Sequence, residues 1–224
     1  MANKCYIKKN GSWTAFTPYK KVNGQWQRCP VYRKENGSWV RIDQQLVTKT
    51  TTISGYADWC GSFRNSTGTG SASFNKDDVY QGKYSSYYYL GVMRFTELFT
   101  KAKAKGTITK ATLKLKNNHA YYHGGLKTHI CGAWAMPFSR PSSYSFSNTG
   151  NTAYASNIAF EKNGSEHKAI TLNSTAISDI QNGKIDGFKV LSPTGFDLNN
   201  YGYFDGTSGS RPWLELTVQY QVWE

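Results

Sequence analysis

The chain has 224 residues, enough for one sizeable domain beside a short repeat segment, and its 27 Lys and Arg outnumber 14 Asp and Glu to give a net charge of +13. Sixteen Tyr, 21 Gly and seven Trp, with little helical periodicity, predict an all-β protein rich in turns. No apolar run reaches the roughly 18 residues of a membrane-crossing helix. The start, Met1-Ala2-Asn3-Lys4-Cys5, has no apolar signal core, so synthesis in the cytoplasm and exit by a route such as cell lysis are expected.

Residues 1–43 repeat one unit three times at a period of 13: Tyr6-x-Lys8-x-Asn10-Gly11-x-Trp13, Tyr19-x-Lys21-x-Asn23-Gly24-x-Trp26 and Tyr32-x-Lys34-x-Asn36-Gly37-x-Trp39. Asn-Gly between short alternating runs predicts a tight hairpin turn, because both turn residues need positive φ. Each unit therefore reads as strand, turn, strand, with its Tyr and Trp on facing strands. Phe16, Cys29 and Ile42 recur three residues after each Trp, and Cys29 reads as a small buried hydrophobe. A lone hairpin buries too little to stand in water. Three can stack their aromatic rows or pair with other chains, which points to assembly rather than catalysis. This segment holds +7 of the net charge. Such a balance favours an anionic partner, either a cell-wall polymer or an acidic protein surface, over nucleic acid, for which no motif is present.

Past a Thr-rich stretch at 44–53, strands are predicted at 50–54, 87–95, 107–116, 127–134, 168–172, 187–191 and 213–222, with a turn or two of helix at 174–182 after a Ser/Thr start. Ala111, Leu113 and Leu115 alternate with Lys and Thr, as on a strand with one wet face. The sum is a β-sandwich over 46–224. Long loops are expected at 61–83, 117–125, 137–156 and 192–211. Cys60 and Cys131 read as reduced thiols, a bridge between them being the alternative.

Two resemblances follow from these residues. Tyr89-Leu90-Gly91-Val92-Met93-Arg94-Phe95, then Ile108-Thr109-Lys110-Ala111-Thr112-Leu113-Lys114-Leu115 after a short loop, resembles the centre of DNRLRE-type β-sandwich domains, and later strands fall in the same order through Trp213-Leu214-Glu215-Leu216-Thr217-Val218. That resemblance covers about 46–222 and implies a jelly-roll-like sandwich of a family with some glycan-binding members; the Asp-Asn-Arg-Leu-Arg-Glu string itself is absent. The hairpin units resemble those at the start of structural proteins of phages that infect Gram-positive bacteria.

The expected function is a non-enzymatic virion protein, a tail or baseplate appendage or a capsid decoration. Its residues 1–43 would dock to other virion proteins through Tyr6, Trp13, Tyr19, Trp26, Tyr32 and Trp39, and its sandwich would face a host-surface glycan. The alternative is a bacterial surface or secreted carbohydrate-binding module. A homo-oligomer is expected, with a trimer favoured by analogy with phage fibres. Glycan contacts are assigned to two loops, at His119, Tyr121, Tyr122 and His123 and at Tyr201 and Tyr203, where aromatic faces could stack on sugar rings. Core packing is the default for Trp134, and the run Tyr87-Tyr88-Tyr89 must alternate across its strand. His119 and His123 have the spacing of a helical zinc pair, but a β-rich context does not support it, so no metal and no cofactor is assigned. Fourteen dispersed acids offer no carboxylate pair for hydrolysis, and no nucleophile motif occurs.

Overall fold

A computed structural model describes residues 5–42, 46–121, 125–162, 167–196, 198–206 and 210–223. The chain divides into two compact units, Met1–Lys49 with Tyr220–Glu224, and Thr50–Gln219.

The first unit contains three antiparallel hairpins: β1 (Cys5–Lys9) with β2 (Ser12–Phe16), β3 (Tyr19–Val22) with β4 (Gln25–Arg28), and β5 (Tyr32–Glu35) with β6 (Ser38–Arg41). Each turn has positive φ at both central residues: Asn10 at 49° and Gly11 at 82°, Asn23 at 48° and Gly24 at 81°, Asn36 at 48° and Gly37 at 86°. These are the mirror-image turns whose twist matches that of the strands. The register puts Lys8 opposite Trp13, Lys21 opposite Trp26 and Lys34 opposite Trp39. Tyr and Trp thus share a face as diagonal neighbours, and the direct partner of each Trp is a lysine. Of the two uses open to the aromatic rows, stacking within the chain does not bury them: each of the three tryptophans is 69 % exposed. Cys29 is half-buried at the base of its hairpin, where its N–H donates to the Pro18 carbonyl at 2.8 Å.

The second unit is an all-β sandwich with two helices. Its elements, the 46–49 end of β7 and the 220–223 end of β19 falling in the first unit, are β7 (Leu46–Tyr56), β8 (Trp59–Asn65), β9 (Ser71–Lys76), β10 (Val79–Tyr84), β11 (Tyr87–Arg94), α1 (Thr96–Lys105), β12 (Thr107–Ala120), β13 (Gly125–Ala133), β14 (Ser143–Ser145), β15 (Thr149–Glu161), β16 (His167–Thr171), α2 (Ser174–Gln181), β17 (Gly187–Leu191), β18 (Gly202–Phe204) and β19 (Trp213–Trp223). One sheet runs β14-β9-β8-β11-β17-β13-β15. The other places β12 between β16 and β19, with β7 beyond β19. Between them, Met93, Leu113, Leu115, Ile130, Phe188, Phe204, Leu214 and Leu216 form the main core. A second apolar layer, with Trp59, Phe63, Leu90, Val92 and Tyr144, covers the other face of the first sheet.

That double burial explains why β8 is missing from the predicted strands; β9 and β15, whose faces are largely exposed, read as loop in 61–83 and 137–156 for lack of a clear alternation. β8 has five consecutive buried residues and no alternation, so 61–83 reads as loop although it contains parts of three strands. The segment after Phe95 is α1, a ten-residue helix rather than a short loop; Leu98, Phe99 and Ala102 face the core at helical spacing. In α2 the capping residue is Asn173, one before the expected Ser/Thr start, and its Oδ1 accepts the Ala176 N–H at 3.0 Å.

Cys60 and Cys131 are free and buried. The register Cys60–Met93, Met93–Phe188 and Phe188–Gly132 sets them three strands apart, about 14 Å at the usual strand spacing, beyond disulfide reach.

Two buried cations tie elements of the sandwich together. Arg94, closing β11, pairs with Asp58 Oδ2 at 2.6 Å, and Asp58 also accepts the Glu97 N–H at 3.2 Å in the first turn of α1. Burial raises the Asp58 carboxyl despite these partners, so desolvation outweighs the attraction. The pair fixes geometry more than it adds stability. Arg94→Ala strands the buried carboxylate and is expected to cost about 3–5 kcal/mol in chemical denaturation.

Lys189 on β17 is the second buried cation, its Nζ 2.8 Å from Asn151 Oδ1. Burial lowers it from 10.5 to about 8. Between those values the unfolded chain holds a proton that the folded chain has released, so stability rises with pH there. Lys189→Met should abolish that rise, measured as unfolding free energy from pH 8 to pH 10 in both proteins.

Candidate functional site

Tyrosines from four segments meet where one strand passes between the two sheets. Residues 82–84 of β10 pair with β11, while Val79, Tyr80 and Gln81 pair with β18, which in turn pairs with the end of β12. β10 crosses directly over the register pair Ser62–Gly91. Ser62 Oγ accepts the Tyr80 N–H at 2.7 Å and donates to the Asp78 carbonyl. A Cβ on Gly91 would stand 2.3 Å from the Tyr80 carbonyl oxygen, so glycine is required for the crossing.

This crossing places Tyr80 in register with Tyr203, their rings stacked at 4.6 Å, and Tyr203 in register with His119. Tyr80, Tyr89 and Tyr201 are at most 5 % exposed and make the floor. Tyr84 and Tyr121 both stack on Tyr201, at 5.2 and 4.7 Å, and with Tyr87 they form a rim between 40 % and 46 % exposed. Arg64, Asn75, Lys76 and Ser85 complete a recess of about 370 Å³, toward the lower end of the range for small-molecule sites. Burial drives the Tyr80 and Tyr201 hydroxyls well above the usual phenol range, reinforced by hydrogen bonds with Tyr121 and Tyr89 respectively. Both stay protonated.

The structure brings both predicted clusters together but changes their character. His119 lies on β12 and Tyr203 on β18, so neither is a loop residue. Tyr201 belongs to the floor instead of the surface, whereas Tyr121 is 42 % exposed on a bend. His119 meets Tyr121 edge-to-face at 4.6 Å. Tyr122 and His123 lie outside the described residues. Tyr203 donates to Asn118 Oδ1 at 2.9 Å. The Tyr87–Tyr89 run alternates as its strand requires: Tyr87 and Tyr89 line the recess, while Tyr88 meets Phe196 edge-to-face at 5.3 Å. Trp134, expected in the core, is 37 % exposed.

Tyr80, Tyr84, Arg64 and Lys76 were absent from the sequence reading. Their signal was the alternation of Tyr80, Gly82 and Tyr84 against Val79, Gln81 and Lys83, running into Ser85-Ser86 and the next strand.

His129 on β13 accepts the Asn157 N–H at its Nδ1, 3.1 Å away, and burial lowers its pKa. Among the described residues, no group of three or more His, Cys, Asp or Glu is gathered to hold a metal, and no helix is long and apolar enough to cross a membrane.

No family model and no curated protein matches the chain. The functional reading rests on the recess and on the hairpins.

Gly91→Ala tests whether the crossing builds the recess. Because the added Cβ meets backbone, a loss of about 1–3 kcal/mol is expected, together with weaker near-ultraviolet dichroism from the tyrosine cluster.

Proposed function

We propose that the chain is a non-enzymatic structural protein of a phage virion, docked through its hairpins and presenting a sandwich that takes a host-surface saccharide in the tyrosine recess. The observation that supports this most is the repeated face of the three hairpins. Trp13, Trp26 and Trp39, each 69 % exposed beside a cross-strand lysine, present one contact three times, 13 residues apart in the sequence. Exposed aromatic surface of this kind marks contact sites, and Trp is the residue most enriched among binding hot spots.

The partners proposed for this segment are other virion proteins and further copies of the chain, in a trimer. The recess supports the second half of the reading: exposed Tyr84, Tyr87 and Tyr121 rings can stack on the C–H faces of a sugar, with Asn75 and Ser85 beside them for its hydroxyls. Among its described lining residues there is no Asp or Glu, so it offers no acid–base pair for glycoside cleavage.

The triple variant Trp13→Ser, Trp26→Ser and Trp39→Ser should keep the melting temperature of the sandwich. Its incorporation into purified particles should fall by about tenfold or more, the scale of losing interfacial tryptophans. Normal incorporation would remove the anchoring role, and saccharide binding by a protein that never enters particles would mark a surface module instead.

A further inference from the structure

We infer that the ligand of the tyrosine recess is an anionic saccharide, one bearing carboxylate or phosphate groups. This rests on the reading of the recess as a saccharide site and adds its charge class. Several cations of the sandwich have carboxylate partners. Arg94 pairs with Asp58 at 2.6 Å, Lys114 with Glu215 at 2.6 Å, Lys116 with Asp205 at 3.2 Å and Lys184 with Asp179 at 3.2 Å. Arg64 and Lys76 have no carboxylate partner among the described residues, which is also true of Lys83, Lys127 and Lys189; what sets these two apart is that they share one recess whose described lining holds no acid.

The acids nearest the tyrosine cluster are engaged elsewhere. Asp78 accepts the Gly206 N–H at 3.0 Å, and Asp205 is held by Lys116. Both unpaired cations are poised over aromatic rings. The Arg64 guanidinium lies 4.5 Å from the Tyr87 ring centroid, with Nη1 3.5 Å from the Tyr89 hydroxyl, and Lys76 Nζ lies 5.5 Å from the Tyr80 centroid.

A guanidinium set over a ring face keeps in-plane N–H groups for a bidentate anion. A neutral sugar needs strong acceptors as well as donors for its hydroxyls. Beside tyrosine hydroxyls, which donate and accept alike, this lining supplies two cations, one amide, Asn75, one hydroxyl, Ser85, and no carboxylate. A saccharide that brings its own negative charge meets that donor excess and can still stack on the rim. Nucleic-acid bases also stack on tyrosine, but single-strand sites follow a basic groove over several nucleotides. Here one recess of about 370 Å³ holds two cations.

The test is titration calorimetry on the full chain with four probes: trigalacturonate, a phosphorylated maltotriose, maltotriose and a short oligothymidylate, each at low and at physiological salt. At least one anionic saccharide should bind about tenfold more tightly than maltotriose, and Arg64→Met should remove about that factor. Lys76→Met should remove a smaller part of it, while Lys101→Met, an exposed lysine on α1, should change nothing. Preference for the uronate or for the phosphate identifies which anion the site takes.

Maltotriose binding as well as the anions, with loss in Tyr121→Ala, would overturn the charge assignment and leave the saccharide site standing. No saccharide binding at all would overturn both. Equal losses in Arg64→Met and Lys101→Met would reduce the effect to general surface charge and overturn the inference. Tighter, Arg64-dependent binding of oligothymidylate would overturn it in favour of nucleic acid.

Discussion

The candidate site depends on one backbone crossing, that of β10 over the Ser62–Gly91 pair. A strand that leaves one sheet for another gives up ladder hydrogen bonds, and buried backbone groups must find partners. Ser62 supplies them here, accepting from Tyr80 N and donating to Asp78 O, while Gly91 leaves room for the approach. Two residues without a bulky side chain thus let a strand bridge the sandwich. The bridge brings Tyr80 into register with Tyr203, and with that contact the tyrosines of β11, β12 and β18 converge.

Buried polar groups around this bridge show the same economy. Gln81 is fully buried, and its Nε2 donates to the Lys127 carbonyl at 2.8 Å and to the Asn200 carbonyl at 3.1 Å, tying β10 to β13 and to the turn before β18. Asn117 is buried at the end of β12 and donates to the carbonyls of Glu161 and Lys162. A buried amide in a low-dielectric interior is costly when its partners move away. These contacts therefore hold the strands beneath the tyrosines in one arrangement, so the recess is preformed rather than assembled around a ligand.

Alternation made some strands legible but was not the whole signal, since β17, buried throughout, was read at its true bounds and the largely wet β15 was not. β12 and β19 alternate apolar and polar residues, and both were legible near their true bounds. The three hairpins were legible from Asn-Gly alone, because that dipeptide encodes the turn locally. β8 was not, because second-layer packing buries both its faces and removes the period. Helix α1 escaped because its lysine-rich outer face masked the Leu98, Phe99 and Ala102 stripe. Half of the candidate site was visible as Tyr121, Tyr201 and Tyr203. The rest depends on a crossing that pairs β10 with β18, some 120 residues further along, and no local pattern records such a partner.

The two units obtain their order from different sources. The sandwich owes its uniqueness to long-range packing, with fully buried Phe63, Phe95, Phe188 and Phe204 drawn from distant strands. The hairpins owe theirs to turn chemistry repeated three times, and their aromatic faces contribute little burial within the chain. A two-stranded sheet is marginal in water, so a surface that covered the tryptophans would add the burial the hairpins lack. Under the proposed docking role, order in this segment and attachment to a partner become linked equilibria, since whatever binds the folded hairpin stabilises it. The fixed positive-φ turns lower the entropic cost of that step, because register and twist are set before contact. A period of 13 residues with one tryptophan per unit then makes affinity a matter of repetition, each weak contact raising the effective concentration of the next.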